Sequence, residues 1–262
     1  MMMAADSIPN RMVISLVGKN ALYKNDLMML EMLAQSNWTR PLYVALTVGE
    51  ENYMNLGNNF IQEGLANRIS PFTTNVPGAK NFDTQKTYHN VMTRFKFGNL
   101  IHPGLYIDET TMRMCYTHRR LMAQLALELI QEHKNGMALK VLKKADKEIP
   151  EYNVPLNYMS GSLDMAKAYA LIGQKARAQY LTNKVFINAS QYMNWYLSED
   201  NTNFLAAQRD CMTQLMIMQQ TVEVANMCNR QMAAQEARIV NALFGQYRAR
   251  GGQMPQQSQQ QQ

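Results

Sequence analysis

Small apolar residues recur at a fixed interval in the middle of the chain. Ala126 is followed twelve residues later by Ala138, and Ala166 and Ala178 repeat that spacing forty residues further on. Small residues at this spacing let two antiparallel helices approach closely, as they do in tetratricopeptide-type hairpins. The pattern therefore predicts two such hairpins, and the excess over the usual period of roughly 34 residues falls in the segment 150–155. A plain antiparallel helix bundle gives a similar pattern and stays open as an alternative.

The N-terminal part has a different pattern, with short β-branched apolar runs. Met12–Val17 predicts a strand, Asn25 and Asp26 offer a cap for a helix, and Leu42–Gly49 predicts a second strand that is buried on both faces. Strand, helix and strand in this order predict a parallel βαβ unit. No glycine-rich turn follows the first run, so a dinucleotide site or a P-loop has no support.

Between the βαβ unit and the repeat, the pattern is weaker. Phe60–Arg68 predicts a helical turn, Ile69–Phe72 a short edge strand, and Thr73–Asp83 a loop. Residues 203–244 contain neither Gly nor Pro and keep helical spacing, which predicts one long final helix. The Gln-rich end predicts disorder.

Together these patterns predict an α+β fold. A small α/β domain spans residues 8–104, a helical domain of tetratricopeptide type spans 105–248, and a disordered tail spans 249–262.

Composition and charge exclude several function classes. The apolar fraction of 47% and the charged fraction of 18% are ordinary for a globular protein. The net charge of +6 comes in equal parts of +2 from residues 1–100, 101–200 and 201–262. Because phosphate binding needs a concentrated basic stripe, we expect no nucleic-acid partner. No run reaches the roughly 18 apolar residues of a membrane span, and the N-terminus does not have the pattern of a signal peptide.

Candidate chemistry is sparse. The three cysteines (115, 211 and 228) form no CxxC motif, the four histidines share no metal-ligand spacing, and we predict neither a metal nor a cofactor. Cys115 and His118 lie three residues apart but have no orienting third group in sequence.

Two aromatic groups are better candidates, because a flat apolar face with a polar rim suits sugars or an extended peptide. They are Trp38 with Arg40 and Tyr43, and Tyr192 with Trp195 and Tyr196. For each group the alternative is a purely structural role, which is the more common use of a Trp.

Four blocks in order resemble one family. They are Asn37–Gly49 (NWTRPLYVALTVG), Gln62–Arg68 (QEGLANR), Phe95–Asn99 (FKFGN) and Tyr106–Glu109 (YIDE). They are similar to the C-terminal extramembrane region of the DUF2723 membrane proteins of Bacteroidetes, a family similar to protein O-mannosyltransferases. The resemblance covers roughly residues 8–200. It implies a periplasmic tail with helical repeats, on a protein whose membrane spans and catalytic loop have no counterpart in this sequence.

The resemblance and the repeat lead to one functional expectation. We expect a non-catalytic interaction module on the periplasmic side of the inner membrane, joined to a transmembrane part and binding an acceptor polypeptide or a partner subunit, with a glycan as a further possible ligand. Glu63 and Arg68, from the second block, are candidate binding residues. The alternative is a glycan-binding or glycan-processing enzyme that uses Asp108, Glu109 or Glu63, although Asp108 and Glu109 also suit a helix cap.

Overall fold

The computed structural model describes residues 11–74 and 81–253 and divides the chain into two compact units, Met1–Phe95 and Lys96–Gln262. The first unit contains a small antiparallel sheet, and the second is an array of helices. The predicted α+β fold is confirmed. Residues 8–10 and 75–80, which the sequence assigns to the first domain and to a loop, lie outside the described residues.

The first unit is built around a three-stranded sheet whose order is β1-β3-β2. The strands are β1 (Tyr43–Ala45), β2 (Phe60–Gln62) and β3 (Ala66–Ile69), and both pairings are antiparallel. Helix α1 (Lys24–Gln35) precedes the sheet, and two 3-10 helices (Glu50–Asn52 and Leu56–Asn59) lie between β1 and β2. Helix α2 (Thr84–His89) follows and continues into a π-helical segment, Asn90–Arg94. The core contains Leu33, Met54, Leu56, Phe60 and Ile69.

The predicted parallel βαβ unit is wrong. Residues 12–17 form no strand, and β1 is a three-residue edge strand rather than a strand buried on both faces. The predicted helical turn over 60–68 is instead the β2–β3 hairpin, and β3 takes only Ile69 from the predicted edge strand. A hairpin of adjacent strands closes a much shorter loop than a βαβ crossover, and the lower entropic cost of that loop favours it.

The second unit begins with two helical hairpins. They are α3 (Glu109–Gln131) with α4 (Asn135–Glu148), and α5 (Ser162–Leu171) with α6 (Lys175–Ser198). All four alanines that define the repeat are fully buried, as close helix packing requires.

The turns inside the two hairpins repeat the forty-residue interval in their hydrogen bonds. Lys134 N–H donates to Leu129 O (2.8 Å) in the first hairpin, and Gln174 N–H donates to Tyr169 O (2.9 Å) in the second. The residue before each donor is left-handed, His133 with φ +59° and Gly173 with φ +82°. This is the Schellman arrangement that ends helices. The backbone hydrogen bonds of the two turns therefore repeat at the same forty-residue interval as the alanines.

Three further helices complete the second unit as the structure describes it: α7 (Asn201–Ala206), α8 (Gln208–Cys228) and α9 (Arg230–Ala249). The single long helix predicted over 203–244 is therefore wrong. Asn229 has an extended backbone, and its side-chain oxygen accepts from the N–H groups of Gln231 (3.0 Å) and Met232 (3.2 Å). An Asn cap can start a new helix without any Gly or Pro.

The first residues of the predicted tail are anchored. Arg250 donates to Leu197 O (2.6 Å) and Glu199 O (2.8 Å), and its guanidinium lies 4.4 Å from the ring centroid of Phe204. The Tyr247 hydroxyl donates to Gln253 O (2.8 Å). The disorder predicted from residue 249 is thus wrong as far as 253, and residues 254–262 lie outside the described residues. No helix in the described part of the chain is both long enough and apolar enough to cross a bilayer.

Glu236, on the buried face of α9, carries a carboxyl group in an unusual environment. The residue is 5% exposed, and neither carboxyl oxygen has a hydrogen-bond partner among the described residues. Burial raises the pKa of Glu236 to about 7, because a low-dielectric environment disfavours the charged form. The folded chain therefore binds this proton more tightly than the unfolded chain does.

This pKa predicts a pH-dependent effect of Glu236→Gln. Stability contributed by the bound proton is lost as the pH rises from the unfolded pKa, near 4.5, through the folded pKa, near 7. At pH 8 we expect the variant to raise the free energy of unfolding by about 1–3 kcal/mol, with the gain vanishing near pH 4.5. Urea titrations at both pH values measure this. Glu223→Gln, at an exposed position of α8, is the control, and an equal gain at both pH values for Glu236→Gln would contradict the assignment.

Candidate functional site

Three of the predicted site residues, Tyr43, Glu63 and Arg68, come together in the first unit. Glu63 lies in the tight turn between β2 and β3, where its N–H donates to Ala66 O (2.9 Å). The next residue, Gly64, has φ +112°, a conformation that a residue with a side chain rarely adopts. Tyr43 on β1 lies directly opposite Arg68 on the central strand β3, so both side chains project from the same face of the sheet.

The carboxylate of Glu63 is held by three donors. Arg68 Nε donates to Oε1 (2.6 Å), while the Tyr43 hydroxyl (2.7 Å) and Lys86 Nζ (2.5 Å) bind Oε2. Lys86 Nζ also donates to the Tyr43 hydroxyl (3.1 Å) and lies 5.7 Å from the centroid of the Tyr43 ring. We call these four residues the Glu63 cluster.

The electrostatics of the cluster keep Glu63 ionised. Burial disfavours its charge, but the hydrogen bonds from Lys86, Tyr43 and Arg68 outweigh that effect and hold the pKa of Glu63 below its usual range. The same carboxylate raises the pKa of Lys86, against the opposing effect of burial. Because a general acid needs a proton near neutral pH, Glu63 is not suited to that role. It organises cationic groups instead.

The other two members of the first aromatic group are Trp38 and Arg40, and their environments differ. Trp38 is partly buried and packs against the core of the first unit, and its backbone is left-handed with φ +56°. Arg40 is exposed. Trp38 therefore has the structural role that the sequence analysis gave as the alternative for this group, while Arg40 and Tyr43 are exposed.

The second aromatic group lies near the end of α6 and is open to solvent. Tyr192 is 48% exposed and Trp195 is 54% exposed, while Tyr196 is partly buried. The rings of Trp195 and Tyr196 are tilted against each other, with centroids 4.9 Å apart. Burial, followed by the charge of Asp210, raises the pKa of Tyr196, so this group stays a neutral phenol.

Trp195 belongs to a longer exposed stripe on α6. Residues three or four positions apart share a helix face, and this face carries Tyr180, Lys184, Ile187, Gln191 and Trp195. None of these residues is buried. The stripe mixes aromatic, aliphatic and polar side chains along a length of more than four helical turns.

An open groove lies between the α6 stripe and the segment that connects α4 to α5. Its volume is about 400 Å³. The connecting segment contributes both polar and apolar walls. The groove is lined by Glu151, Tyr152, Pro155, Leu156, Lys184, Ile187, Asn188 and Gln191. We call it the α6 groove.

Side chains from the connecting segment and α4 fix the edge of the groove. The Tyr180 hydroxyl donates to Glu151, and the cationic groups of Arg177 and Lys184 lie 4.9 and 5.3 Å from the Tyr180 ring centroid. Arg177 also donates to both carboxylate oxygens of Asp146 (2.9 and 3.1 Å). These contacts hold the Arg177–Lys184 part of α6 in one arrangement against α4.

A buried arginine holds the other wall. Arg119 on α3 is 1% exposed and donates to three backbone carbonyls at 2.8 Å, those of Ile149, Val154 and Pro155. Arg119 is not identified by the sequence analysis, because backbone carbonyls leave no trace in a sequence pattern. Lys86 was missed for a similar reason, since its partners Glu63 and Tyr43 are distant in the chain.

The remaining predicted carboxylates serve the start of α3. Asp108 accepts from the N–H groups of Thr110 (2.9 Å) and Thr111 (3.0 Å) and from the Thr111 hydroxyl (2.5 Å). These bonds, led by the one from the hydroxyl, lower the pKa of Asp108. Glu109 is exposed and pairs with Arg113 at 2.5 Å. Both residues do what a helix N-terminus requires.

Cys115 and His118 line an apolar cavity of about 220 Å³ in the second unit. Burial raises the pKa of the Cys115 thiol, so the reactive thiolate is disfavoured. His118 Nδ1 lies 2.8 Å from Met114 O and is therefore a donor to that carbonyl. The arrangement gives no activated nucleophile.

Comparison with known proteins gives one finding. A family model described as TMEM260-associated domain 2 matches residues 1–87. A search of curated proteins and a search of solved structures found no match. The first third of the chain is therefore similar to TMEM260-associated domain 2, and all four residues of the Glu63 cluster lie inside the matched range.

Proposed function

We propose that the chain is a non-catalytic interaction module that binds an extended polypeptide in the α6 groove. The groove carries the proposal. It combines apolar side chains such as Ile187 and Leu156 with polar ones such as Asn188 and Gln191, and an extended peptide needs both, for its side chains and its backbone. Helical repeat arrays commonly present extended surfaces of this kind to polypeptides.

The candidate catalytic groups support a binding role over an enzymatic one. In the described residues, Glu63 is ionised and paired with two cations, Asp108 and Glu109 serve the start of α3, and Cys115 is a buried thiol. None of them is poised to transfer a proton or to attack a substrate.

The proposal extends to a membrane partner. The matched domain is described as TMEM260-associated. This description suits a module that works together with another protein or with another part of the same protein. The four blocks that resemble the DUF2723 membrane proteins of Bacteroidetes support the same idea. On this proposal the chain is the periplasmic tail of a glycosyltransferase-like membrane protein and positions an acceptor polypeptide or a partner subunit.

A glycan is the alternative ligand, and the aromatic pair on α6 favours it. Tyr192 and Trp195 are both about half exposed, and exposed aromatic rings are suited to stack against sugars. In this alternative, the ligand contacts the Trp195 end of the stripe rather than the groove around Ile187.

The groove proposal predicts the outcome of a peptide selection. Peptides selected from a random library against the full chain should lose at least about tenfold in affinity on Ile187→Asp, because the change places a charge on the apolar wall. Leu171→Asp is the matched control, since Leu171 is a half-exposed aliphatic residue on α5 that does not line the groove. The Leu171→Asp variant should bind the selected peptides with unchanged affinity.

Two outcomes of that selection would contradict the groove proposal. One is that no peptide is enriched, and the other is that Ile187→Asp and Leu171→Asp weaken binding equally. Oligosaccharide binding that Trp195→Ala abolishes, in the absence of any selected peptide, would establish the alternative instead.

Cell fractionation tests the membrane proposal. An antibody raised against this chain should detect the native antigen in the membrane fraction of the source cells, on a polypeptide well above 30.0 kDa, because a tail is covalently continuous with its spans. Extraction by detergent but not by high salt or carbonate is expected. An antigen of 30 kDa in the aqueous fraction would overturn the tail proposal and leave the peptide groove to be judged separately.

A further inference from the structure

The Glu63 cluster contains more positive charge than its carboxylate uses. Glu63 neutralises one of the two cations, Arg68 and Lys86, so the three charges sum to +1. The nearest acid in sequence to Lys86 is Asp83, whose carboxylate caps α2 by accepting the Lys86 backbone N–H (2.8 Å). Among the described residues, Asp83 forms no ion pair with the Lys86 ammonium.

Arg68 retains unused donors. Only its Nε is bound, to Glu63 Oε1, so in the described part of the chain the two terminal nitrogens of its guanidinium have no protein acceptor. These nitrogens form the fork that binds carboxylate or phosphate oxygens in pairs. The Arg68 side chain is 32% exposed and that of Lys86 is 47% exposed, so both cations can be reached from solvent.

Glu63 also fixes the spacing of the two cations. Arg68 binds one oxygen of the carboxylate and Lys86 binds the other, which tethers the guanidinium and the ammonium to the same carboxylate. The side chain of Glu63 is 3% exposed and therefore acts as an internal brace. The Tyr43 hydroxyl stabilises this arrangement, since it donates to Glu63 and accepts from Lys86. Such preorganisation lowers the entropic cost of binding a ligand.

We propose that Arg68 and Lys86, braced by Glu63, form a binding site for a small oxyanion, that is, a carboxylate or a phosphoryl group. The fork of Arg68 binds two ligand oxygens, and Lys86 adds a point charge beside them. The partly exposed ring of Tyr43 borders the site and can cover the apolar part of a larger ligand. All of its residues belong to the first unit, whereas the α6 groove is formed by residues of the second.

NMR titration of the ¹⁵N-labelled full chain at pH 7 tests this site, with inorganic phosphate and acetate as separate probes at constant ionic strength. We expect saturable shifts of the Arg68 and Lys86 amides with at least one probe, and the stronger probe identifies the ligand class. Arg68→Gln and Lys86→Gln should each weaken binding by about tenfold or more, because each removes a charge-assisted contact.

Lys24→Gln is the matched control, since Lys24 is exposed in the same unit and lies outside the cluster. This variant should bind each probe as tightly as the original chain does. Lys86 is nearly half exposed, so Lys86→Gln keeps the test valid if Arg68→Gln fails to fold. Shifts that rise linearly with both probes, or that persist unchanged in Lys86→Gln, would overturn the proposal.

Discussion

The second unit depends on the hydrogen bonds that the buried guanidinium of Arg119 donates to backbone carbonyls. Arg119 is 1% exposed and donates to three carbonyls of the segment between α4 and α5. Burial lowers its pKa to about 10, with the charge of Asp146 opposing the shift, so Arg119 stays protonated at neutral pH. Among the described residues, backbone carbonyls rather than an ion pair satisfy this charge. That segment can take few other positions without leaving a buried charge and three carbonyls unpaired, which is costly.

This segment links the two helical hairpins. It leads into α5, which begins at Ser162, and it supplies one wall of the α6 groove. In the first unit a buried negative charge, rather than a buried positive one, links distant parts of the chain. The buried carboxylate of Glu63 joins β1, β3 and α2 through Tyr43, Arg68 and Lys86. In both units a buried charge, satisfied by groups distant in the chain, holds the irregular parts that the hydrophobic core does not fix.

Residues that recur at a regular interval could be predicted, and residues with distant polar partners could not. The four repeat alanines are evident from sequence because a forty-residue period marks them, and all four are fully buried. The apolar run at 12–17 resembled a strand, but Val13 and Val17 are exposed and the run pairs with nothing in the described sheet. Apolar β-branched composition does not specify a pairing partner. The break at Asn229 was missed because a cap needs only one side chain.

The candidate site shows the same division. Tyr192 and Trp195 were found from residue type alone, and the structure places them at the surface of α6. Tyr43, Glu63 and Arg68 were named separately, for their aromatic or acidic chemistry or for the block that contains them, but their convergence depends on the β1–β3 register. Lys86 and Arg119 were not found. Their partners lie between 23 and 43 residues away, or are backbone carbonyls, and a single sequence carries no signal of either.

Hydrogen exchange in Arg119→Met tests most directly whether Arg119 holds the α4–α5 connection. Met replaces the guanidinium with an unbranched apolar chain and leaves the carbonyls of Ile149, Val154 and Pro155 without their donor. The Val154 amide, which donates to Pro150 O within the connection, should then exchange at least about tenfold faster under native conditions. Amides in the middle of α8, such as that of Met218, should keep their protection. If the Val154 amide exchanges at the original rate in the folded variant, Arg119 neither holds the connection nor fixes the wall that the connection supplies to the α6 groove.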